Sequence, residues 1–249
     1  MEKKKRIVIV GATSAIAEHC ARRWALTAID LTLVGRDLTR TARVAADLRV
    51  RSPLSTIREV QANFFDPVAI HDMVDKIAQQ GIIDTVLIAH GSLPEQNMCQ
   101  LDLNVCHDAL ATNAVSPVLY AEAFAMHLAR ANHGTLALIG SVAGDRGRKS
   151  NYVYGAAKGL LTRYAQGLQH RFAGTDVHVV LIKPGPTDTP MTAHLKRQGA
   201  KLASVEKVAA DIVRAVDRGQ GVAYVPGQWQ VIMGMVRLLP TFIFHRLNI

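Results

Sequence analysis

The chain has 249 residues, 49% hydrophobic, 20% charged and 5% aromatic, with 29 Lys plus Arg against 20 Asp plus Glu and a net charge of +9. The hydrophobic share excludes a disordered chain, and 18 Gly and 9 Pro without a period exclude collagen-like and low-complexity classes. Three cysteines, Cys20, Cys99 and Cys106, show no CxxC spacing, which speaks against a disulfide framework or a metal site and for a reducing compartment.

At this length one domain spanning 1–249 is expected. The basic start runs into apolar residues 7–10, which Gly11 ends too early for a signal peptide, whose core needs about 7–15 apolar residues. No uncharged apolar run reaches the ~18 residues of a spanning helix, so a cytoplasmic protein is expected. Short apolar runs predict strands at 7–10, 31–34, 56–61, 85–88, 135–139, 177–182 and 222–225. Between them, Ala- and Leu-rich stretches predict helices that include 16–27, 39–50, 68–79, 114–131, 153–172 and 205–217. Asp66-Pro67 reads as an N-cap and first helical residue, and Ser204 opens the helix that Gly219 and Gly221 close. Alternation of strand and helix demands right-handed crossovers and a parallel sheet covered on both faces. Strands that are apolar throughout fit that double burial. The fold class is therefore α/β: a single doubly wound Rossmann-type domain, with a seven-stranded parallel sheet and helices on both faces.

Directly after the first strand, Gly11-Ala12-Thr13-Ser14-Ala15-Ile16-Ala17 opens a helix. In a dinucleotide fold such a turn brings backbone N–H groups and a helix N-terminus up to a pyrophosphate, and small side chains let the phosphates approach. The same residues also make an ordinary strand-to-helix turn. The second strand leads into Val34-Gly35-Arg36-Asp37. An acidic residue here holds the ribose of NAD, whereas Arg36 suits a 2′-phosphate and can stack on adenine. NADP(H) is expected over NAD(H); the bland alternative makes Arg36 a solvated surface charge.

Downstream, Ser141 follows the strand 135–139, and Tyr154 and Lys158 stand four apart on the helix 153–172, sharing one face. Val153, Ala157, Leu160, Leu161, Tyr164 and Leu168 keep a helical period that would pin this helix to the sheet. Over essentially its whole length the sequence resembles the short-chain dehydrogenase/reductase family. The family's Ser–Tyr–xxx–Lys set matches Ser141, Tyr154 and Lys158. Its helix asparagine matches Asn113, and its Pro-Gly segment matches Pro184-Gly185-Pro186-Thr187-Asp188-Thr189.

The resemblance implies hydride transfer between a nicotinamide and a carbonyl or alcohol carbon. It makes Tyr154 the general acid/base, Ser141 the hydrogen-bonding partner of the substrate oxygen, Lys158 a partner of the nicotinamide ribose, and Asn113 the holder of a water that links Lys158 to solvent. A Lys158 ammonium about 4 Å from the phenol, at an effective dielectric of about 20, would be worth on the order of 4 kcal/mol and bring the phenol down toward neutrality. The implied cofactor set is Gly11, Thr13, Ser14, Ala15, Ile16, Arg36, Asn63, Phe64, Ala89, Gly91, Tyr154, Lys158, Pro184, Thr187 and Thr189, with no metal. Three departures stand out. The family's GxxxGxG keeps only Gly11, with Ala15 and Ala17 in the other places. Its Asn-Asn-Ala-Gly turn becomes Ile88-Ala89-His90-Gly91, losing polar groups that brace the sheet. Its adenine-binding Asp becomes Asn63.

The stretch 191–201 is expected to form a partly apolar lid, with Met191 and Leu195 beside Lys196, Arg197 and Lys201, and with His194 as a surface residue. The tail 228–249 alternates apolar residues with Trp229, Arg237, His245 and Arg246 and is broken by Pro240. It reads either as an interfacial helix pair on anionic lipid at the inner face of the membrane, or as a cover for the pocket or a subunit interface. Homo-oligomers are implied by the family. The tail, the 89–91 turn and the alanine-rich loop resemble the branch that reduces a decaprenylphosphoryl 2-keto-pentose, implying a ketone on a lipid-linked sugar. A soluble 3-oxoacyl or other ketone is the alternative substrate, and a non-catalytic NADP(H)-binding regulator the alternative class. The basic stretches 36–58 and 146–149 lack aromatic interleaving, so no nucleic-acid partner is expected.

Overall fold

The computed structural model describes residues 4–247; the remaining ends of the expected 1–249 domain and 228–249 tail lie outside the described residues. Strands β1 (Lys5–Val10), β2 (Ile29–Gly35), β3 (Thr56–Gln61), β4 (Thr85–Ile88), β5 (Gly134–Ile139), β6 (Val177–Pro184) and β7 (Val222–Val225) pair in parallel in the order β3-β2-β1-β4-β5-β6-β7. This is the doubly wound sheet. Strand order reverses at β1, where Val10 pairs with Val34 on one side and Ile88 on the other. Loops leaving β1 and β4 part company there and open a crevice at the carboxyl ends of the strands.

Burial explains why the strands carry no polar alternation. Ile7, Ile9, Leu31, Leu33, Leu87 and Ile182 point to one face, under α1 (Ala15–Trp24), α2 (Leu38–Arg51) and α9 (Val205–Asp217). Val8, Val10, Val34, Val86, Leu138 and Leu181 point to the other, under α3 (Pro67–Ala78), α6 (Ser116–Ala131) and α7 (Tyr152–Arg171). Period 2 thus runs between two apolar faces rather than between core and water. The expected caps form: Asp66 accepts the N–H groups of Val68 and Ala69, and Ser204 accepts that of Lys207.

Three segments carry further elements. Residues before 114 hold α4 (Gln96–Leu101), α5 (Leu103–Leu110) and a π-helical turn (Ala111–Val115) that feeds α6. Leu101 and Leu103, each 82% exposed, break the amphipathic pattern that would have marked them. The lid holds a 3₁₀ turn and the short α8 (Ala193–Arg197). The tail folds into α10 (Gln228–Leu238) and α11 (Thr241–Phe244). Among the described residues, no helix is long and apolar enough to cross a membrane.

Candidate active site

Gly11 follows β1 with φ +81°, and a Cβ there would lie 2.6 Å from the His90 backbone nitrogen, so both conformation and space require glycine. The loop is tied to β2 by the Gly11 and Ala12 N–H groups, which donate to the Val34 carbonyl at 2.9 and 3.1 Å. Ser14 stands at the N-cap of α1 without a side-chain capping bond, and Thr13 and Ser14 are half-buried. The first-turn N–H groups are left open toward the cleft, as anion binding at a helix N-terminus requires. Ala15 begins the helix, and the Ala17 methyl is fully buried in the core, so these two departures from glycine each have a place.

Beyond β2, the exposed Arg36 lies 5.8 Å over the Phe64 ring, and no carboxylate among the described residues pairs with its guanidinium. Asp37 accepts the Arg40 N–H and caps α2. The Asn63 carboxamide oxygen accepts the Phe65 N–H at 2.9 Å, leaving the NH₂ group open. Phe64 is only 4% exposed and packs edge-on against His90 and Tyr120, so it forms the floor beneath Arg36. The expected loss of a polar brace after β4 is corrected by His90: its Nε2 and the Ser116 hydroxyl of α6 are 2.9 Å apart. Burial, followed by the Lys158 and Arg36 charges, pushes His90 down to about 3, so this brace is neutral.

Across the switch point, Ser141 leaves β5 in extended conformation and accepts the Ala143 N–H at 3.1 Å, starting a 3₁₀ turn over Val142–Gly144. That turn sits directly on α7. A Cβ on Gly144 would lie 2.6 Å from both the carbon and the oxygen of the Lys158 carbonyl. The contact holds Ser141 against the helix that carries Tyr154 and Lys158. Lys158 is buried, donates from Nζ to the Ile139 carbonyl at 2.9 Å and lies 5.8 Å from the Tyr154 ring centroid. Burial pushes it down to about 8. The expected fall of the Tyr154 phenol is not what the site gives. Burial raises it above 10.0, outweighing the lowering effects of the Ser141 hydroxyl within hydrogen-bonding reach and of the Arg148 charge.

Asn113 is buried in the π turn, an insertion that recurs at functional sites. Its oxygen accepts the Ser92 N–H at 3.0 Å, and its NH₂ donates to the Ala109 carbonyl at 2.8 Å. Gly91 lies between this carboxamide and the Lys158 ammonium. Ala89, Gly91, Asn113, Ser141, Tyr154 and Lys158 thus line one cleft with Ser14 and Ile16.

The far wall is the segment after β6. Pro184, Thr187, Thr189, Met191 and Leu195 face the cleft, and Thr187 is steadied by its hydroxyl bond to the Gly185 carbonyl at 2.9 Å. Lys196 pairs with Asp188, and His194 is half-exposed. Trp229 of α10 packs against Gly185, joining the tail to this wall. The cleft holds about 810 Å³ of non-protein space, part of it open to solvent.

The loop between Ser141 and α7 supplies parts that the sequence did not mark. Asp145 forms a buried ion pair with Lys183 and accepts the Tyr224 hydroxyl at 2.7 Å. Arg146 donates to the carbonyls of Val236 and Leu239, each at 2.6 Å, and stacks 3.9 Å over the Phe244 ring. Arg148 and Asn151 border the cleft. A loop has no period, so nothing in the run 146–149 tells which cation turns inward.

A family model described as short chain dehydrogenase matches residues 5–200. A protein of Mycobacterium tuberculosis called an uncharacterized oxidoreductase is 32% identical over 244 residues, 97% of this chain and 96% of that one. Another of that description, from Streptomyces coelicolor, is 31% identical over 248 residues, 98% of this chain and 96% of that one. Among solved structures, a short-chain dehydrogenase from Sphingobium yanoikuyae in complex with NADPH superposes with a TM-score of 0.81 at 22% identity, covering 95% of this chain and 97% of that one. The last likeness is one of fold.

Proposed function

The chain belongs to the short-chain dehydrogenase family, and from that premise we propose that it is an NADP(H)-dependent oxidoreductase reducing a ketone to an alcohol by hydride transfer. The carrying observation is that Ser141, Tyr154 and Lys158 meet on one wall of the cleft that the Gly11 loop opens.

When bound, the dinucleotide supplies the hydride. The N–H group of Thr13 and those of the first turn of α1 fit its pyrophosphate, and Arg36 over Phe64, unpaired among the described residues, fits a 2′-phosphate beside adenine. Tyr154 Oη gives its proton to the carbonyl oxygen as that oxygen becomes an alkoxide. A phenol raised by burial holds its proton at neutrality and so has one to donate. The Ser141 hydroxyl donates to the same oxygen and stabilises its growing charge. Lys158, buried and cationic below pH about 8, adds positive charge beside the pair and stands ready for the ribose hydroxyls. Asn113 fixes the turn at Ser92 and so the shape of the floor beside Lys158.

The substrate reading extends to a lipid-linked keto-sugar, with a soluble 3-oxoacyl or other ketone as the alternative. Its support is the tail, where Leu238 is 84% and Phe242 68% exposed next to Arg237 and Arg246. Exposed Leu101, Leu103, Leu110 and Leu160 on α4, α5 and α7 support self-association. Tyr154→Phe tests the core proposal: turnover is abolished while NADPH binding, followed by fluorescence, persists. Near-normal turnover refutes the role of the phenol.

A further inference from the structure

The loop joining Ser141 to α7 carries three cations. Arg146 is fastened to the tail and Lys149 is exposed. Arg148 instead borders the cleft beside Ser141, Tyr154 and Asn151. Its Nε is buried without a hydrogen-bond partner, as is the Asn151 carboxamide oxygen. Asp145, nearby in sequence, is already held by Lys183 and Tyr224. Among the described residues no carboxylate pairs with Arg148, and the cleft lining contains no Asp or Glu while both Arg148 and Lys158 face it. Burial of Arg148 weakens its hold on its proton, which underlines the missing counter-charge.

Arg148 is half-buried, and a cation held in a poorly solvated place is ordinarily paired, because leaving it alone there is costly. A guanidinium offers a planar fork that matches oxyanions. Phosphates of a dinucleotide have their own place at the Gly11 loop and α1. Arg148 hangs from the Ser141–Tyr154 loop, where the reacting carbonyl belongs.

We propose that Arg148 is a substrate-specificity residue whose guanidinium binds an oxyanion group carried by the carbonyl compound, a carboxylate, sulfonate or phosphate, with the Asn151 oxygen open to a neighbouring hydroxyl. The substrate class is therefore anionic carbonyl compounds. This rests on the reductase reading, and the experiment separates the two. NADPH oxidation is followed with two matched pairs, acetoacetate against ethyl acetoacetate and dihydroxyacetone phosphate against dihydroxyacetone. The wild type prefers the anionic member by about tenfold or more in kcat/KM, the size expected of a charge-assisted hydrogen bond. Which pair shows the larger preference tells carboxylate from phosphate. Arg148→Gln collapses the ratio toward one, and Arg148→Lys keeps part of it; Arg148→Met takes the place of the glutamine variant should that one misfold. Using a ratio cancels any general effect of the charge on Tyr154. In parallel, acetoacetate and dihydroxyacetone phosphate are titrated calorimetrically into NADP⁺-saturated protein, where Arg148→Gln weakens binding about tenfold. A wild-type ratio at or below one, absence of wild-type binding to both anions, or equal binding by wild type and variant overturns the subsite. Arg148-dependent binding without reduction of any carbonyl upholds the subsite and overturns the reductase reading.

Discussion

Replacing Gly144 by alanine probes the contact on which the catalytic geometry depends. The added Cβ would lie 2.6 Å from the Lys158 carbonyl carbon and oxygen and 2.9 Å from the Gly159 nitrogen, where ordinary contact begins at 3.4 Å. All three atoms are helix backbone, so no side chain can swing aside, and the turn over Val142–Gly144 must retreat from α7 by about 0.8 Å. Ser141 moves with it. A displacement of about 1 Å in a catalytic constellation costs on the order of 10²-fold in rate, and forcing a methyl into a packed place costs about 1–3 kcal/mol of stability. We therefore expect Gly144→Ala to lower kcat about a hundredfold and Tm by several degrees. NADPH affinity should change far less, since Arg36 and the Gly11 loop do not touch this turn. The assay is steady-state NADPH oxidation, with coenzyme affinity from fluorescence titration. Gly147→Ala is the control on the same loop, because nothing lies within 4 Å of its would-be Cβ. A folded Gly144→Ala protein with kcat within about threefold of wild type would show that this contact does not set the position of Ser141.

Arg36→Gln should raise KM for NADPH about ten- to a hundredfold, the worth of charge-assisted bonds to a phosphate, while KM for NADH stays nearly level; equal weakening of both coenzymes refutes the 2′-phosphate contact. The pH profile of kcat/KM for reduction should be level below about 8 and fall above it, as Lys158 loses its proton while Tyr154, raised above its usual value, keeps its own; a profile flat to pH 10.0 contradicts this. Substituting Ser at both Leu238 and Phe242 should abolish sedimentation with anionic liposomes, and equal pelleting of variant and wild type removes the lipid contact.

What could be read from the sequence follows from what each part needs physically. Strands buried on both faces must be apolar throughout, so Val86 and Leu87 were visible as a strand although they point to opposite layers. Gly11 was visible because the turn tolerates no other residue, and Tyr154 and Lys158 because a helix puts residues four apart on one face. The π turn at Asn113 was hidden: its side-chain bonds to Ser92 and Ala109 fix it, and neither leaves a period in the chain. The helices before the π turn leave no period either, because Leu101 and Leu103 are exposed and break the apolar stripe. Spacing gives the proximity of Tyr154 to Lys158 but not the burial that dominates the state of the phenol.

The tether of Arg146 has a mechanical consequence. The segment that bears Arg148 is moored at Asp145 to the strands, through Lys183 and Tyr224, and at Arg146 to the last two helices, through two carbonyls and the Phe244 ring. Its inner mooring is buried, whereas its outer one rides on two helices of which only Met233 is buried. A pull on those helices, from a surface or a second subunit, is thus delivered within a few residues of the proton donor, without passing through the sheet.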